Sequence, residues 1–140
     1  MIYRRNESFR YTFNDPIPCS IKIVKIDNTT IESDYGEGYI VDLSPQGMKI
    51  LTPFNLMPPN RKVDIEANFS FKDTFFQILG HIMWQKKIFQ NNQYYQGIKF
   101  NQSGDLSERI INLLKIHSKK LKIEEKEQDI IPIQYTTNKT

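Results

Sequence analysis

Up to residue 100 the apolar residues come in short runs that alternate with polar ones. Beyond residue 105 they recur at helical spacing instead. This change of period limits the possible folds more than any composition figure. Successive side chains along a strand point to opposite faces, whereas along a helix they return to one face every three or four residues. "CSIKIVKI" (19–26) sets Ile21, Ile23 and Ile26 against Lys22 and Lys25. "GEGYIVDLS" (36–44) and "GMKILT" (47–52) follow, parted by "PQ". "RKVDIEANFSF" (61–71) places Val63, Ile65, Ala67, Phe69 and Phe71 on one side. "FFQILGHIMWQKKIF" (75–89) reads as a long strand bent at Gly80, and "YYQGIKF" (94–100) closes the series. Turn chemistry separates the runs: "DNTT" at 27–30, after which "TIES" can pair back, and the proline-rich "PFNLMPPN" at 53–60. Leu106, Ile110, Leu113, Leu114, His117 and Leu121 then form a helical stripe, with Asp105 and Glu108 spaced as an N-terminal cap. Six short strands followed by one helix predict a mainly β protein, a small six-stranded antiparallel barrel with a C-terminal α-helix.

A chain of 140 residues suits one domain. That domain is expected over residues 1–122, with residues 1–10 as an N-terminal arm and 105–122 as the helix. Residues 123–140, containing "EEKEQ" and "TTNKT", are expected to form a disordered tail in which "IIPIQY" (130–135) is an apolar island. Cys19 is the one cysteine, so no internal disulfide forms and a reducing compartment fits. Met1–Tyr3 runs into arginines without an apolar h-region, and no run of apolar residues is long enough to span a membrane. The expected location is cytoplasmic. The net charge of +3 is too modest to imply nucleic acid by itself.

Enzymatic motifs are missing from this sequence. It has no glycine-rich phosphate loop, no G-x-S-x-G elbow and no H-E-x-x-H. His81 and His117 have no second ligand nearby at metal spacing, and Ser44 has no evident base. The expectation is a protein that is not an enzyme and holds no metal or cofactor. Trp84, two residues after Ile82, is expected in the core, and Phe69, Phe71, Phe75 and Phe76 in strand packing.

Two segments remain that strand formation does not use up. "YRRNESFRYTF" (3–13) packs Arg4, Arg5 and Arg10 ahead of any core, against Glu7 alone among acids in the first ten residues. "DLSPQG" (42–47) lies between two strands. It is well made for a turn, since Asp and Ser hydrogen-bond turn backbone and Pro presets a torsion. An arginine cluster, a later D-x-S-x-x-G, then "IMWQ" and a terminal "GIKF" strand resemble, in that order, the PilZ domain, from residue 4 to about residue 100. The resemblance implies a six-stranded barrel with a helix, and a bacterial cytoplasmic signalling receptor for cyclic di-GMP. It also implies that Arg4, Arg5, Arg10, Asp42, Ser44 and Gly47 bind that ligand.

The chemistry agrees with this implication. Arginine forks suit phosphates and the O6/N7 edge of guanine, and their planes stack on purines. Asp42 can accept from guanine N1–H and N2–H, Ser44 can donate, and Gly47 permits close approach of the backbone. One feature departs from the family's RRxxxR: Arg5 and Arg10 are separated by the four residues "NESF" rather than by three. Positions five apart face opposite ways in an extended chain, whereas Arg4 and Arg10 share a side. Two alternatives follow. One is a degenerate PilZ-like module that works only through an unidentified effector protein. The other is a barrel that binds single-stranded nucleic acid, disfavoured because the basic charge sits on the arm rather than along a groove.

Overall fold

The computed structural model describes residues 10–102 and 104–130. Its elements are β1 (Tyr11–Ile26), β2 (Thr29–Thr30), β3 (Gly36–Leu43), β4 (Gly47–Thr52), β5 (Val63–Phe71), β6 (Thr74–Ile88), β7 (Gln93–Phe100) and α1 (Asp105–Ile130). The strands hydrogen-bond in the order β1-β3-β4-β7-β6-β5, and β5 returns to β1, so six antiparallel strands close a barrel. The two-residue β2 is an extra rung on the end of β1, pairing Thr29 with Ile26 and Thr30 with Lys25. Closure gives each of the six barrel strands a partner on both sides, so none has a free edge to guard.

Local chemistry explains the connections. Asp27 and Asn28 both take positive φ, 52° and 69°, between β1 and β2. Lys72 and Asp73 do the same, at 53° and 64°, between β5 and β6. Two-residue loops with both central residues left-handed match the natural twist of a hairpin. Gly80 lies where β6 meets β7. A Cβ there would come within 2.7 Å of the Lys99 carbonyl oxygen, so only glycine lets the strands approach.

The inward side expected for β5 holds, with Val63, Ile65, Ala67, Phe69 and Phe71 all buried, although Asp64 between the first two is buried as well. They join Ile21, Ile40, Ile50, Phe76, Ile78 and Ile98 inside the barrel. Cys19 is also buried, and burial pushes its thiol up to about 12, so it serves as a packing residue. Leu106, Ile110 and Leu114 seat α1 on the same core. Each such side chain contributes roughly 1.5–3 kcal/mol by leaving water. Further along α1, His117 meets Tyr11 and Phe71 edge-on, with ring centroids 4.9 Å and 5.3 Å apart. The helix is thereby fixed against the start of β1 and the end of β5.

Several boundaries differ from expectation. Strand β1 starts at Tyr11, directly after Arg10, and runs through 19–26 as one unbroken element. Pro16 is accommodated because the pairing with β3 jumps from Thr12↔Asp42 to Ile17↔Ile40, leaving an irregular stretch in which no ladder N–H is needed from it. Helix α1 continues to Ile130 rather than stopping at 122. Lys, Glu and Gln are good helix formers that need no buried face, so the charged stretch after 122 extends the helix instead of starting a tail. The first helical turn is capped by Gly104, whose carbonyl accepts from the Glu108 amide at 3.0 Å. Asp105 is therefore the first helical residue, and with Glu108 it complements the positive end of the helix dipole. Phe75 is 61% exposed, and Trp84 is half-exposed rather than in the core. In β6 the register shifts between Ile82 and Trp84, which breaks the alternation that would have buried the indole. Arg4, Arg5 and the rest of residues 1–9, together with residues 131–140, lie outside the described residues.

Candidate functional site

Four strands bring the site together. Strand β3 delivers Asp42 and β4 begins at Gly47, with the turn of Ser44, Pro45 and Gln46 between them. A register shift between Ile40 and Asp42 re-aims the end of β3, the usual effect of a bulge. The turn is closed by its own atoms. The Ser44 amide donates to the Gly47 carbonyl at 2.9 Å, and the Ser44 hydroxyl donates to the same oxygen at 3.2 Å. The hydroxyl also accepts from the amides of Gly47 at 3.2 Å and Gln46 at 3.4 Å. Two outside bonds fix the turn further: the Phe100 amide donates to the Gln46 carbonyl and the Ser107 hydroxyl to the Pro45 carbonyl, each at 2.9 Å.

Gly47 has a specific steric role. A Cβ there would sit 2.4 Å from the carbonyl oxygen of Ile98, so the glycine is what allows β4 to start against β7. Ser44 and Gly47 thus shape the turn, and Asp42 is the member of D-x-S-x-x-G that presents a charge. Asp42 is only 5% exposed. Its carboxylate accepts from the Arg10 guanidinium, and the Lys49 ammonium stands 4.0 Å from its other oxygen. Two cations around one buried carboxylate offset its desolvation.

Arg10 stands immediately before β1, and nearly half of its side chain is exposed. Asp42 engages Nη1, which leaves the outer edge of the guanidinium for an incoming acceptor. The groove in front of this pair has a volume of about 560 Å³, and Arg10, Asp42, Ser44, Gly47, Lys49, Trp84, Gly97 and Lys99 are among its lining residues. Arg10, Lys49 and Lys99 set three cations against one anion there. The groove therefore suits an anionic ligand with a planar, hydrogen-bonding part.

Four of the six residues expected in the site, Arg10, Asp42, Ser44 and Gly47, line this one groove. Arg4 and Arg5 fall outside the described residues. Lys49, Lys99 and Trp84 were not anticipated. Both lysines stand in strand alternation as ordinary solvated positions, and Trp84 was expected inside. No cluster of His, Cys, Asp or Glu that could hold a metal ion occurs among the described residues. No described helix is long and apolar enough to cross a membrane.

One solved structure supports the architecture. The PilZ domain of YcgR from Escherichia coli, solved with c-di-GMP, is 20% identical over 86% of this chain and 95% of that one, with a TM-score of 0.50. The Bacillus subtilis inhibitor of motility MotI/DgrA matches at 8% identity and a TM-score of 0.49 over 80% of this chain, which spans 48% of that longer protein. No curated protein sequence matches. The PilZ domain model matches residues 4–115, which takes in the arginine cluster, the D-x-S-x-x-G turn, the whole barrel and the first half of α1. The chain belongs to the PilZ domain family.

Proposed function

We propose that this protein is a receptor for cyclic di-GMP that changes conformation on binding and signals to a protein partner. The observation that carries the proposal is the Arg10–Asp42 pair. Two residues 32 positions apart in sequence, one from each recognised motif, meet at the mouth of one cationic groove. A carboxylate that holds one edge of a guanidinium pre-orients the other edge, so less side-chain freedom is lost when a ligand arrives. Arg10 then offers its remaining N–H groups to a phosphate or to guanine O6 and N7. Asp42 keeps lone pairs for the N1–H and N2–H edge of guanine. Arg4 and Arg5 are proposed as further contacts supplied by the arm, partly interchangeable because of the four-residue gap before Arg10.

The test is calorimetric titration of cyclic di-GMP into the wild type and into Arg10→Ala, Asp42→Ala, Arg4→Ala, Arg5→Ala and the Arg4/Arg5 double variant. Arg10→Ala is expected to abolish detectable binding. Asp42→Ala is expected to cost about 1–3 kcal/mol, the range for a hydrogen bond to a charged group. Each arm variant should bind more tightly than the double variant. A wild type that gives no heat at high micromolar nucleotide sinks the receptor function and leaves a PilZ module that acts through protein contacts alone.

A further inference from the structure

The end of the barrel away from α1 carries an apolar slot that the Arg10–Asp42 groove does not use. It has a volume of about 550 Å³, and Ile21, Ile23, Tyr35, Gly36, Phe54 and Leu56 are among the residues that line it. Two aromatic side chains form its lips: Tyr35 is 50% exposed and Phe54 43%. Both are held in place. The Tyr35 hydroxyl donates to the Glu66 carboxylate, and the Lys22 ammonium lies 4.8 Å from the centre of the Tyr35 ring. The Phe54 ring rests over Gly36, where a Cβ would come within 2.6 Å of its Cε2. The Phe54 carbonyl accepts from the Thr52 hydroxyl at 3.1 Å and from the Gln96 side-chain amide at 3.2 Å, and both of those residues are fully buried. Fixed, half-exposed aromatic residues around an apolar floor lose little freedom when a partner covers them.

The rim of the slot is acidic. Glu32, Asp34 and Glu37 are all exposed, and none of them makes an ion pair with a described residue. Lys22, the cation that lines the slot, is engaged on Tyr35. The matching surface occurs in the same chain. On α1, Ile116 is 59% exposed, on the side away from the stripe of Leu106, Ile110 and Leu114 that seats the helix. It belongs to "KIHSKKLKI" (115–123), which has Lys115, Lys119, Lys120 and Lys122 and no acidic residue. An apolar residue set among cations complements an apolar slot set among anions. The two cannot meet within one molecule. Through Ser107 and His117, α1 lies across the barrel end that holds Pro45, Tyr11 and Phe71. The slot is at the opposite, Gly36 end of β3, and the strand from there to Leu43 spans about 23 Å.

We infer that the slot receives Ile116 from a second copy of this chain, with the lysines of 115–122 set against Glu32, Asp34 and Glu37. Each copy has one slot and one helix, so reciprocal docking uses both and closes a two-fold dimer. The inference is separate from the receptor function, and its test needs no nucleotide.

Analytical ultracentrifugation of the full chain over a range of concentrations should show a species of twice the 16.6 kDa chain mass. High salt should weaken the association about tenfold, because exposed charges are screened. Ile116→Glu and Phe54→Ala should each weaken it about tenfold or more, as the loss of an interface anchor does. Reversing the rim (Glu32→Lys with Asp34→Lys) or the helix (Lys115→Glu with Lys119→Glu) should weaken it as well. Mixing the two reversed proteins should restore association as a heterodimer, since each slot then meets a helix of opposite sign. A wild type that stays monomeric overturns the inference and gives the slot to a different protein. A dimer that survives Ile116→Glu and both reversals overturns it too, because another face then joins the copies. Reversed proteins that stay apart when mixed overturn the pairing of rim with helix. If Phe54→Ala fails to fold, Ile116→Glu, changed at an exposed position, decides.

Discussion

Asp42 and Gly47 sit five residues apart in one motif and answer to different physics. Asp42 carries charge into a groove, while Gly47 makes room for a neighbouring strand. Gly47→Ala would drive a methyl group to within 2.4 Å of the Ile98 carbonyl, a backbone atom that cannot swing away. The expected outcome is a stability loss of about 1–3 kcal/mol, the cost of overpacking, seen as a lower melting midpoint without ligand. Asp42→Ala removes the partner of a half-exposed arginine that can turn to water, and should shift the same midpoint far less. Equal losses in the two variants would contradict this division of roles. The motif was legible in the sequence because its residue types are unusual together. Trp84 was not, because a single bulge reverses the inward-outward alternation, and nothing in "HIMWQ" announces one. The role of Gly47 was equally hidden, since β7 lies fifty residues further along the chain.

Among the elements, α1 is more than a cover for the barrel. Its Ser107 hydroxyl donates to the Pro45 carbonyl at 2.9 Å, so the first turn of the helix grips the loop that follows Asp42. Ser107→Ala should cost about 0.5–1.5 kcal/mol and loosen that loop, measurable as faster amide hydrogen exchange at Ser44 and Gly47, whose amide bonds close the turn. Unchanged exchange at both amides would show that the Phe100 bond to Gln46 suffices alone. The apolar stripe of α1 was readable because Leu106, Ile110 and Leu114 share a face that must be buried. Its final eight residues were not, since a helix made of Lys, Glu and Gln and a disordered charged segment differ little in pattern. The middle of β1, residues 14–18, was missed for the opposite reason. "NDPIP" has turn composition, and only the irregular pairing with β3 lets it lie within a strand.

For the molecule as a whole, closure is the governing fact. The pairing of β5 with β1 completes the ring, and one continuous core fills it together with one face of α1. Such a body is expected to unfold in a single cooperative step. Denaturant curves followed by far-ultraviolet dichroism and by Trp84 emission should share one midpoint, although the indole lies on the outer surface. A separate, earlier emission transition would mean that the groove side of β6 opens independently. The six strands were legible from alternation alone, but their circular order was not, because it depends on which strands bend. Strand β1, paired with both β3 and β5, is the one that closes the ring. It is also the strand that Arg10 immediately precedes. Tension applied at that arginine would run along the axis of β1, borne first by the ladder to β3 and then by the ladder to β5, with bonds loaded sideways and obliged to yield as a group. The arm is thus tethered to the seam of the barrel, and a pull on one strains the other.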